Sequence, residues 1–259
     1  MRRNTLKEKL YNDKVAFGPF LKITDPAVIE IFGHANFDFA IIDMEHGPIS
    51  VESAQNLIRA AETVGITPVI RVSSNDDSKI LRALDIGAQG IEVPQINTKE
   101  AAQNLVNAAR FSPKGERGVC CNVRSADYSK INQDSNLKNN YFKETNEETL
   151  IIAHIEGLEG VNNIEKIMEI DSIDVLFIGP YDLSQSLGIP GQVNNKKVED
   201  KMQEIIDKAE AQNKIVGTYV DDIETAKKWI HKGVKFIAYS VDVAILFEKS
   251  LEIASQLKE

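Results

Sequence analysis

The sequence has few of the features that mark secreted and membrane proteins. It holds only two cysteines in 259 residues, Cys120 and Cys121, and adjacent cysteines are poorly placed to form a disulfide with each other. We therefore expect no disulfide framework and a reducing compartment. The first residues lack the apolar core of a signal peptide, and no apolar run is long enough to cross a bilayer. These absences predict a cytoplasmic protein with no membrane partner.

Basic residues are also in deficit. The chain carries 30 Lys and Arg against 39 Asp and Glu, a formal net charge of -9 at pH 7. Nucleic acids and anionic membranes require a positive patch, so this balance argues against both partners. The first predicted strand is not followed by a glycine-rich phosphate loop of either common pattern, G-x-G-x-x-G or G-x-x-x-x-G-K-[ST]. We expect a small-molecule ligand.

What the chain does contain is a regular series of apolar runs, within a composition that is 42% hydrophobic. Short apolar runs bounded by turn residues are typical of strands buried on both faces. The runs are residues 15–23, 37–42, 67–72, 90–94, 150–155, 175–178, 214–220 and 234–239. Helical patterns separate them, and Asp25, Ser50 and Thr98 have the residue types of helix N-caps.

About eight consecutive strand-helix units, with no change of composition to mark a linker, predict one α/β domain over residues 1–259, a (β/α)₈ TIM barrel. An open doubly wound sheet is the alternative fold, and the missing phosphate loop counts against it. Residues 112–148 are rich in Lys, Asn, Ser and Glu and are too long for an ordinary connection. We interpret them as an irregular excursion or an active-site flap.

Carboxylates follow two of the predicted strands that are neighbours in the chain. Glu156 comes directly after the fifth run, and Asp182 follows the sixth within a Gly-Pro turn. Parallel neighbours end on the same side of a sheet, so these two acids should emerge side by side. Two adjacent oxygen ligands suit Mg²⁺ or Mn²⁺. The alternative is that both are strand-end acids bonded to loop amides.

The second and third runs end in further groups: Asp43, Glu45, His46 and Arg71. A cation that chelates a 2-oxo acid acidifies the adjacent C–H; a histidine can then move the proton and an arginine can stabilise the oxyanion. Structural alternatives are a turn histidine bonded to backbone and an arginine that neutralises neighbouring carboxylates. Asp85 lies near the end of a helical pattern, where the helix dipole disfavours an acid, which hints at a specific partner.

Six segments together resemble one known family. They are residues 42–48, 71–76, 84–88, 113–118, 155–156 and 178–184, the last reading IGPYDLS. In this order they are similar to the HpcH/HpaI aldolases, the class II pyruvate aldolases typified by 4-hydroxy-2-oxoheptanedioate aldolase. The resemblance implies a barrel assembled as a homo-hexamer. It also implies reversible cleavage of a 4-hydroxy-2-oxo acid to pyruvate and an aldehyde through a metal-stabilised enolate.

The same resemblance implies roles for individual residues. Glu156 and Asp182 occupy the metal-ligand positions, for Mg²⁺ or Mn²⁺, with Co²⁺ as a further option. His46 occupies the position of the base and Arg71 that of the transition-state stabiliser. Asp85 matches the acid that raises the basicity of the histidine.

Two substrate-contacting positions depart from the family pattern. The usual glutamine two residues before the metal-binding glutamate is His154, and the usual small residue before the metal-binding aspartate is Tyr181. The resemblance assigns substrate contacts to both positions, as well as to Arg71 and Asp182. Two other hypotheses stay open: a Schiff-base aldolase that uses Lys22, and a non-catalytic barrel that binds a 2-oxo acid or a partner.

Overall fold

The computed structural model describes residues 3–258 and has a closed parallel barrel at its centre. The strands are β1 (Ala16–Leu21), β2 (Phe39–Asp43), β3 (Thr67–Arg71), β4 (Gly90–Val93), β5 (Leu150–Ile155), β6 (Val175–Ile178), β7 (Ile215–Val220) and β8 (Phe236–Val241). Each strand pairs in parallel with the next along the chain, and β8 closes onto β1. The predicted (β/α)₈ barrel is confirmed.

Helices surround the barrel, and three of them begin at the caps that the sequence predicts. They are α1 (Thr5–Tyr11), α2 (Pro26–His34), α3 (Val51–Val64), α4 (Asp77–Asp85), α5 (Lys99–Ala109), α6 (Ser135–Glu148), α7 (Leu158–Asn162), α8 (Ile164–Met168), α9 (Pro180–Ser186), α10 (Lys196–Glu210), α11 (Ile223–His231) and α12 (Asp242–Gln256). The side chains of Asp25, Ser50 and Thr98 each accept a backbone N–H of the first helical turn, which satisfies an otherwise unpaired donor. Across residues 3–258, no helix is both long and apolar enough to cross a membrane.

The interior of the barrel is apolar at its amino end and polar at its carboxyl end. Successive side chains of a strand point to opposite faces, so every second residue of each strand fills the barrel. In β2 these interior residues are Phe39, Ile41 and then Asp43, of which the first two belong to the apolar interior cluster. Leu6 and Leu10 of α1 join that cluster and close the amino end. Along β2 the alternation therefore brings an ionisable side chain, Asp43, to the carboxyl end of this interior.

The long segment between α5 and β5 contains two 3₁₀ helices, Arg124–Ala126 and Lys130–Gln133, followed by α6. Tyr141 of α6 packs with Phe111 in a small satellite core. A connection that leaves a helix and enters a parallel strand lies at the amino ends of the strands. The interpretation of this segment as a flap over the active site is therefore wrong, because active sites in this fold lie at the opposite end.

Candidate active site

Four ionisable side chains enter the barrel from consecutive strands at its carboxyl end. Asp43 of β2 pairs in register with Arg71 of β3, which pairs with Glu92 of β4, and His154 follows on β5. All four are buried. A cavity of roughly 260 Å³ opens above them, and its lining includes Lys22, His46, Arg71, His154, Tyr181 and Asp182. The structure thus brings most of the predicted site residues to one cavity.

Arg71 is held by a two-pronged ion pair. Its Nε donates to Oδ1 of Asp43 at 3.0 Å and its Nη2 donates to Oδ2 at 2.8 Å. The remaining Nη1 lies 3.2 Å from Oε2 of Glu45, and the guanidinium lies 4.6 Å from the ring centre of Phe20. Burial would raise the pKa of Asp43, but the hydrogen bonds and charge of Arg71, together with the backbone N–H donors of His46 and Glu45, outweigh it and leave that pKa below its ordinary value. Arg71 neutralises a neighbour and is also a rigid donor in the cavity.

His46 lies at the mouth of this cavity. Its backbone N–H donates to Oδ1 of Asp43 at 3.2 Å, while its side chain is 58% exposed. The ring Nε2 lies 3.7 Å from Oε2 of Glu45. Asp43 holds the backbone of His46 in the turn, and the imidazole remains accessible to a ligand.

Glu156 and Asp182 follow neighbouring strands, as the sequence predicts. Asp182 lies in the first turn of α9, and Oε1 of Glu156 accepts the backbone N–H of Gln95 at 2.7 Å. Burial, with smaller contributions from the charges of Asp182 and Glu45, raises the pKa of Glu156 to about 7 against the opposing effect of that hydrogen bond. The like charge of Asp182 that raises the pKa of Glu156 favours a bound cation, and these two acids could hold one.

Two ligands suffice for such a site. Among residues 3–258 no group of three or more His, Cys, Asp or Glu side chains is arranged around a common metal position. Mg²⁺ is commonly bound through one or two carboxylates, while water and substrate oxygens fill its other positions. The pair of Glu156 and Asp182 matches that pattern.

Glu92 is a site residue that sequence reasoning missed. Its side chain is completely buried, and its Oε1 lies 3.3 Å from Nδ1 of His154. The other ring nitrogen, Nε2, lies 3.3 Å from Oε2 of Glu156. Burial raises the pKa of Glu92 to about 8 and lowers the pKa of His154 well below its ordinary value. The available signal was an acid in the middle of the apolar fourth run.

Tyr181 belongs to an aromatic wall on the other side of the cavity. Its hydroxyl donates to Oδ2 of Asp221 at 2.9 Å, and the hydroxyl of Tyr219 donates to Oδ1 of the same carboxylate at 2.8 Å. The two tyrosine rings lie 5.8 Å apart, and Phe20 lies 6.0 Å from Tyr219. Sequence reasoning identified Tyr181 but neither of its partners, because both lie on a distant part of the chain.

The structure does not bring Asp85 to His46. Asp85 is the last residue of α4 and accepts from Nη2 of Arg117 at 2.7 Å. A helix that follows a strand runs back to the amino ends of the barrel, whereas His46 follows the carboxyl end of β2. The predicted pair is therefore not formed within one chain. Lys22, by contrast, does line the cavity, with its Nζ 3.9 Å from Oδ2 of Asp43.

Comparison with known proteins identifies the family. The model of the HpcH/HpaI aldolase/citrate lyase family matches residues 16–248. A hydroxypyruvate/pyruvate aldolase of Roseobacter denitrificans is 33% identical over 257 residues, which is 99% of this chain and 98% of the relative. A 2-keto-3-deoxy-L-rhamnonate aldolase of Salmonella gallinarum is 32% identical over 95% of this chain and 90% of its own length.

The fold agrees with a solved member of that family. The crystal structure of an HpcH/HpaI aldolase/citrate lyase family protein from Burkholderia cenocepacia superimposes with a TM-score of 0.92 at 29% identity, over 99% of this chain and 100% of that one. The family match covers the barrel and all the cavity residues described above. The chain therefore belongs to the HpcH/HpaI aldolase/citrate lyase family and is a carbon–carbon lyase.

Proposed function

We propose that the protein is a metal-dependent aldolase that reversibly cleaves a 4-hydroxy-2-oxo acid to pyruvate and an aldehyde. The observation that carries this proposal is the convergence of Asp182, His46 and Arg71 on one cavity. Glu156 lies directly behind its wall, with Oε2 at 3.3 Å from Nε2 of the cavity residue His154. Two relatives at 32–33% identity are aldolases named for hydroxypyruvate, pyruvate and a 2-keto-3-deoxy sugar acid. Reduced, unpaired Cys120 and Cys121 are consistent with action in the cytoplasm.

The residues of the site fit a divalent cation, which we propose to be Mg²⁺ or Mn²⁺, with Co²⁺ as a substitute. Glu156 is buried, its pKa is raised, and Asp182 adds a second negative charge close by. A cation between them would offset this repulsion and stabilise both anions. When bound, the cation supplies Lewis acidity to the carbonyl and carboxylate oxygens of a 2-oxo acid.

The protein's own groups account for the other requirements of cleavage. His46 takes the proton of the 4-hydroxyl group as the C3–C4 bond breaks, the aldehyde carbonyl forms at C4, and the electron pair passes to the pyruvate fragment. Arg71 is fixed by Asp43 and offers N–H donors to the developing negative charge without reorganising. Protonation of C3 then completes pyruvate, and the same steps in reverse form the bond.

His154, Tyr181, Asp182 and Arg71 are the proposed substrate-binding residues. All four line the cavity. Arg71 suits the charged end of a 2-oxo acid, because a guanidinium matches carboxylate geometry. Tyr181 lies at the mouth, 46% exposed, where it would contact the part of the substrate that leaves as the aldehyde.

We also propose that the protein acts as a homo-oligomer, a hexamer by resemblance to the family. The apolar residues of α12 support self-association, since Leu246 is 61% exposed and Phe247 is 65% exposed in the single chain. Sedimentation of the wild-type protein and of a Phe247→Glu variant tests this. A wild-type monomer at micromolar concentration would contradict it.

The function is tested by following pyruvate release from a panel of 4-hydroxy-2-oxo acids that differ in the aldehyde portion. Cleavage should stop after exhaustive chelation and return with Mn²⁺ or Mg²⁺. Borohydride added during turnover should leave no pyruvate on the protein, and Lys22→Met should retain cleavage. Chelator-resistant cleavage with pyruvate trapped on Lys22 would instead establish the Schiff-base mechanism. Binding of 2-oxo acids without cleavage or enolisation would favour the non-catalytic barrel.

A further inference from the structure

Glu92, His154 and Glu156 form a buried row that leads from the barrel interior to the proposed metal site. Both carboxylate oxygens of Glu92 and both ring nitrogens of His154 are buried without a hydrogen bond of full geometric quality. Yet each ring nitrogen lies 3.3 Å from a carboxylate oxygen, one from Glu92 and the other from Glu156. A fully buried acid without a hydrogen-bond partner costs stability. Its presence in this row therefore requires an explanation.

The ring of His154 is also confined by Phe177 and by the backbone at Gly179. Phe177 meets it edge to face, with the ring centres 4.8 Å apart. A Cβ on Gly179 would lie 2.4 Å from Nε2, so only glycine leaves room for the ring there. An imidazole has two χ2 orientations related by a half-turn. Only the observed one directs Nδ1 to Glu92 and Nε2 to Glu156.

The protonation of Glu92 determines which atom donates and which accepts in the contacts of the His154 ring. Burial raises the pKa of Glu92 to about 8, so its carboxyl group carries a proton at neutral pH and can donate to Nδ1. The ring hydrogen then resides on Nε2, where it faces the Oε2 acceptor of Glu156. One proton arrangement thus gives each of the two contacts of the His154 ring a donor and an acceptor.

We propose that Glu92 is a positioning residue that acts through His154 to hold Glu156 in its metal-binding orientation. The ring lies between the two acids, and the backbone N–H of Gln95 fixes the opposite oxygen of Glu156. Glu156 is therefore held at both oxygens, by a backbone N–H and by an imidazole. This inference rests on the proposed metal-dependent function, because it assigns Glu92 to the same cation site.

The test is a double-mutant cycle read out as Mn²⁺ affinity of the chelator-stripped full-length protein, measured by titration calorimetry. Glu92→Leu should weaken Mn²⁺ binding about tenfold, at the lower end of the effect of losing an outer-sphere partner of a metal ligand. Glu92→Gln should stay within about twofold, because its amide can still hydrogen-bond to Nδ1. In a His154→Gln background, Glu92→Leu should have no further effect on Mn²⁺ affinity.

Stability is measured on every variant so that folding damage is recognised. Glu92→Leu removes a buried acid and should unfold at a urea concentration no lower than the wild type. Glu92→Met is a second apolar variant of similar volume, used in the same cycle if the leucine variant does not fold.

Each remaining outcome is decisive. Equal Mn²⁺ affinity of Glu92→Leu and the wild type would overturn the inference and leave the proposed function intact. The same tenfold loss in the His154→Gln background would overturn it too, because Glu92 would then act without His154. A wild-type protein that binds no Mn²⁺ would overturn the proposed metal site itself, and this inference with it.

Discussion

The two ends of the barrel both bury acids beside bases, but they satisfy them differently. At the amino end, Asp174 accepts from the backbone N–H of Ile151 at 2.7 Å and from the hydroxyl of Tyr11 at 2.7 Å. Nζ of Lys7 lies 3.0 Å from the same carboxylate, and Nη2 of Arg110 lies 3.3 Å from it. Arg110 also donates to backbone carbonyls at 2.7 and 2.9 Å. The protein itself therefore supplies the hydrogen-bond and ion-pair partners of Asp174.

At the carboxyl end, Glu45, Glu92 and His154 contribute five buried polar atoms that lack a hydrogen-bond partner: Oε2 of Glu45, both oxygens of Glu92 and both nitrogens of His154. Three acids there, Glu45, Glu92 and Glu156, have their pKa raised, in each case mainly by burial. An excess of buried negative charge is retained only where a ligand or a proton offsets it. The charged residues at the amino end therefore stabilise the fold, whereas those at the carboxyl end are available to bind a ligand or a proton.

The largest effect should come from His46→Ala. Loss of a general base typically costs about 10²–10⁴-fold in rate, so cleavage should fall by that amount. Mn²⁺ affinity and the urea unfolding midpoint should not change, because the ring is exposed and packs against no core. His231→Ala, a histidine at the end of α11, is the matched control and should remain fully active. A fully active His46→Ala enzyme would shift the search for the base to Glu45 and His154.

Asp174→Asn, at the amino end, should lower the stability of the protein and leave its activity unchanged. Removing one partner of a buried ion pair typically costs about 3–5 kcal/mol, because Arg110 is left with an uncompensated charge. The free energy of unfolding in urea should fall by about 3 kcal/mol, while kcat and KM of the folded enzyme stay at wild-type values. If activity fell instead and stability held, the division between the two ends would be wrong.

Glu156→Gln should sharpen the contrast at the carboxyl end. Mn²⁺ affinity should drop by at least the roughly 10–100-fold that the loss of a supporting partner costs. The metal-free variant should be no less stable than the wild type, since it lacks a carboxylate whose ionised form is disfavoured by burial. Calorimetric titration with Mn²⁺ and urea unfolding of the metal-free protein measure the two quantities. Wild-type metal affinity in this variant would remove the proposed ligand.

A smaller effect concerns pH. The folded-state pKa of Glu92, about 8, lies above its ordinary value of 4.5, so the folded protein binds more protons than the unfolded chain between those pH values. The contribution of Glu92 to stability is therefore largest below pH 4.5 and is lost as pH rises toward 8. From pH 5 to pH 8, the metal-free wild type should lose on the order of 3 kcal/mol relative to Glu92→Gln. An unchanged difference in unfolding free energy across that range would contradict this assignment.

The barrel and most of the cavity residues could be predicted from sequence because their signals are local. An apolar run predicts a strand, and a residue directly after it, such as Glu156 or His46, lies at the carboxyl end wherever the strand lies. The partner of Asp85 and the buried position of Glu92 depend on packing between distant elements. The direction of a helix after its strand does indicate that Asp85 lies at the amino end, although that rule says nothing of Arg117.

The central claim is that the acids at the carboxyl end hold a cation that makes pyruvate enolisation possible. It is tested most directly by NMR observation of deuterium entering the methyl group of pyruvate in D₂O, without any aldehyde. Exchange should cease when the protein is stripped with a chelator and should return with Mn²⁺ or Mg²⁺, but not in Glu156→Gln. Methyl exchange at an undiminished rate in the exhaustively stripped protein would contradict the claim.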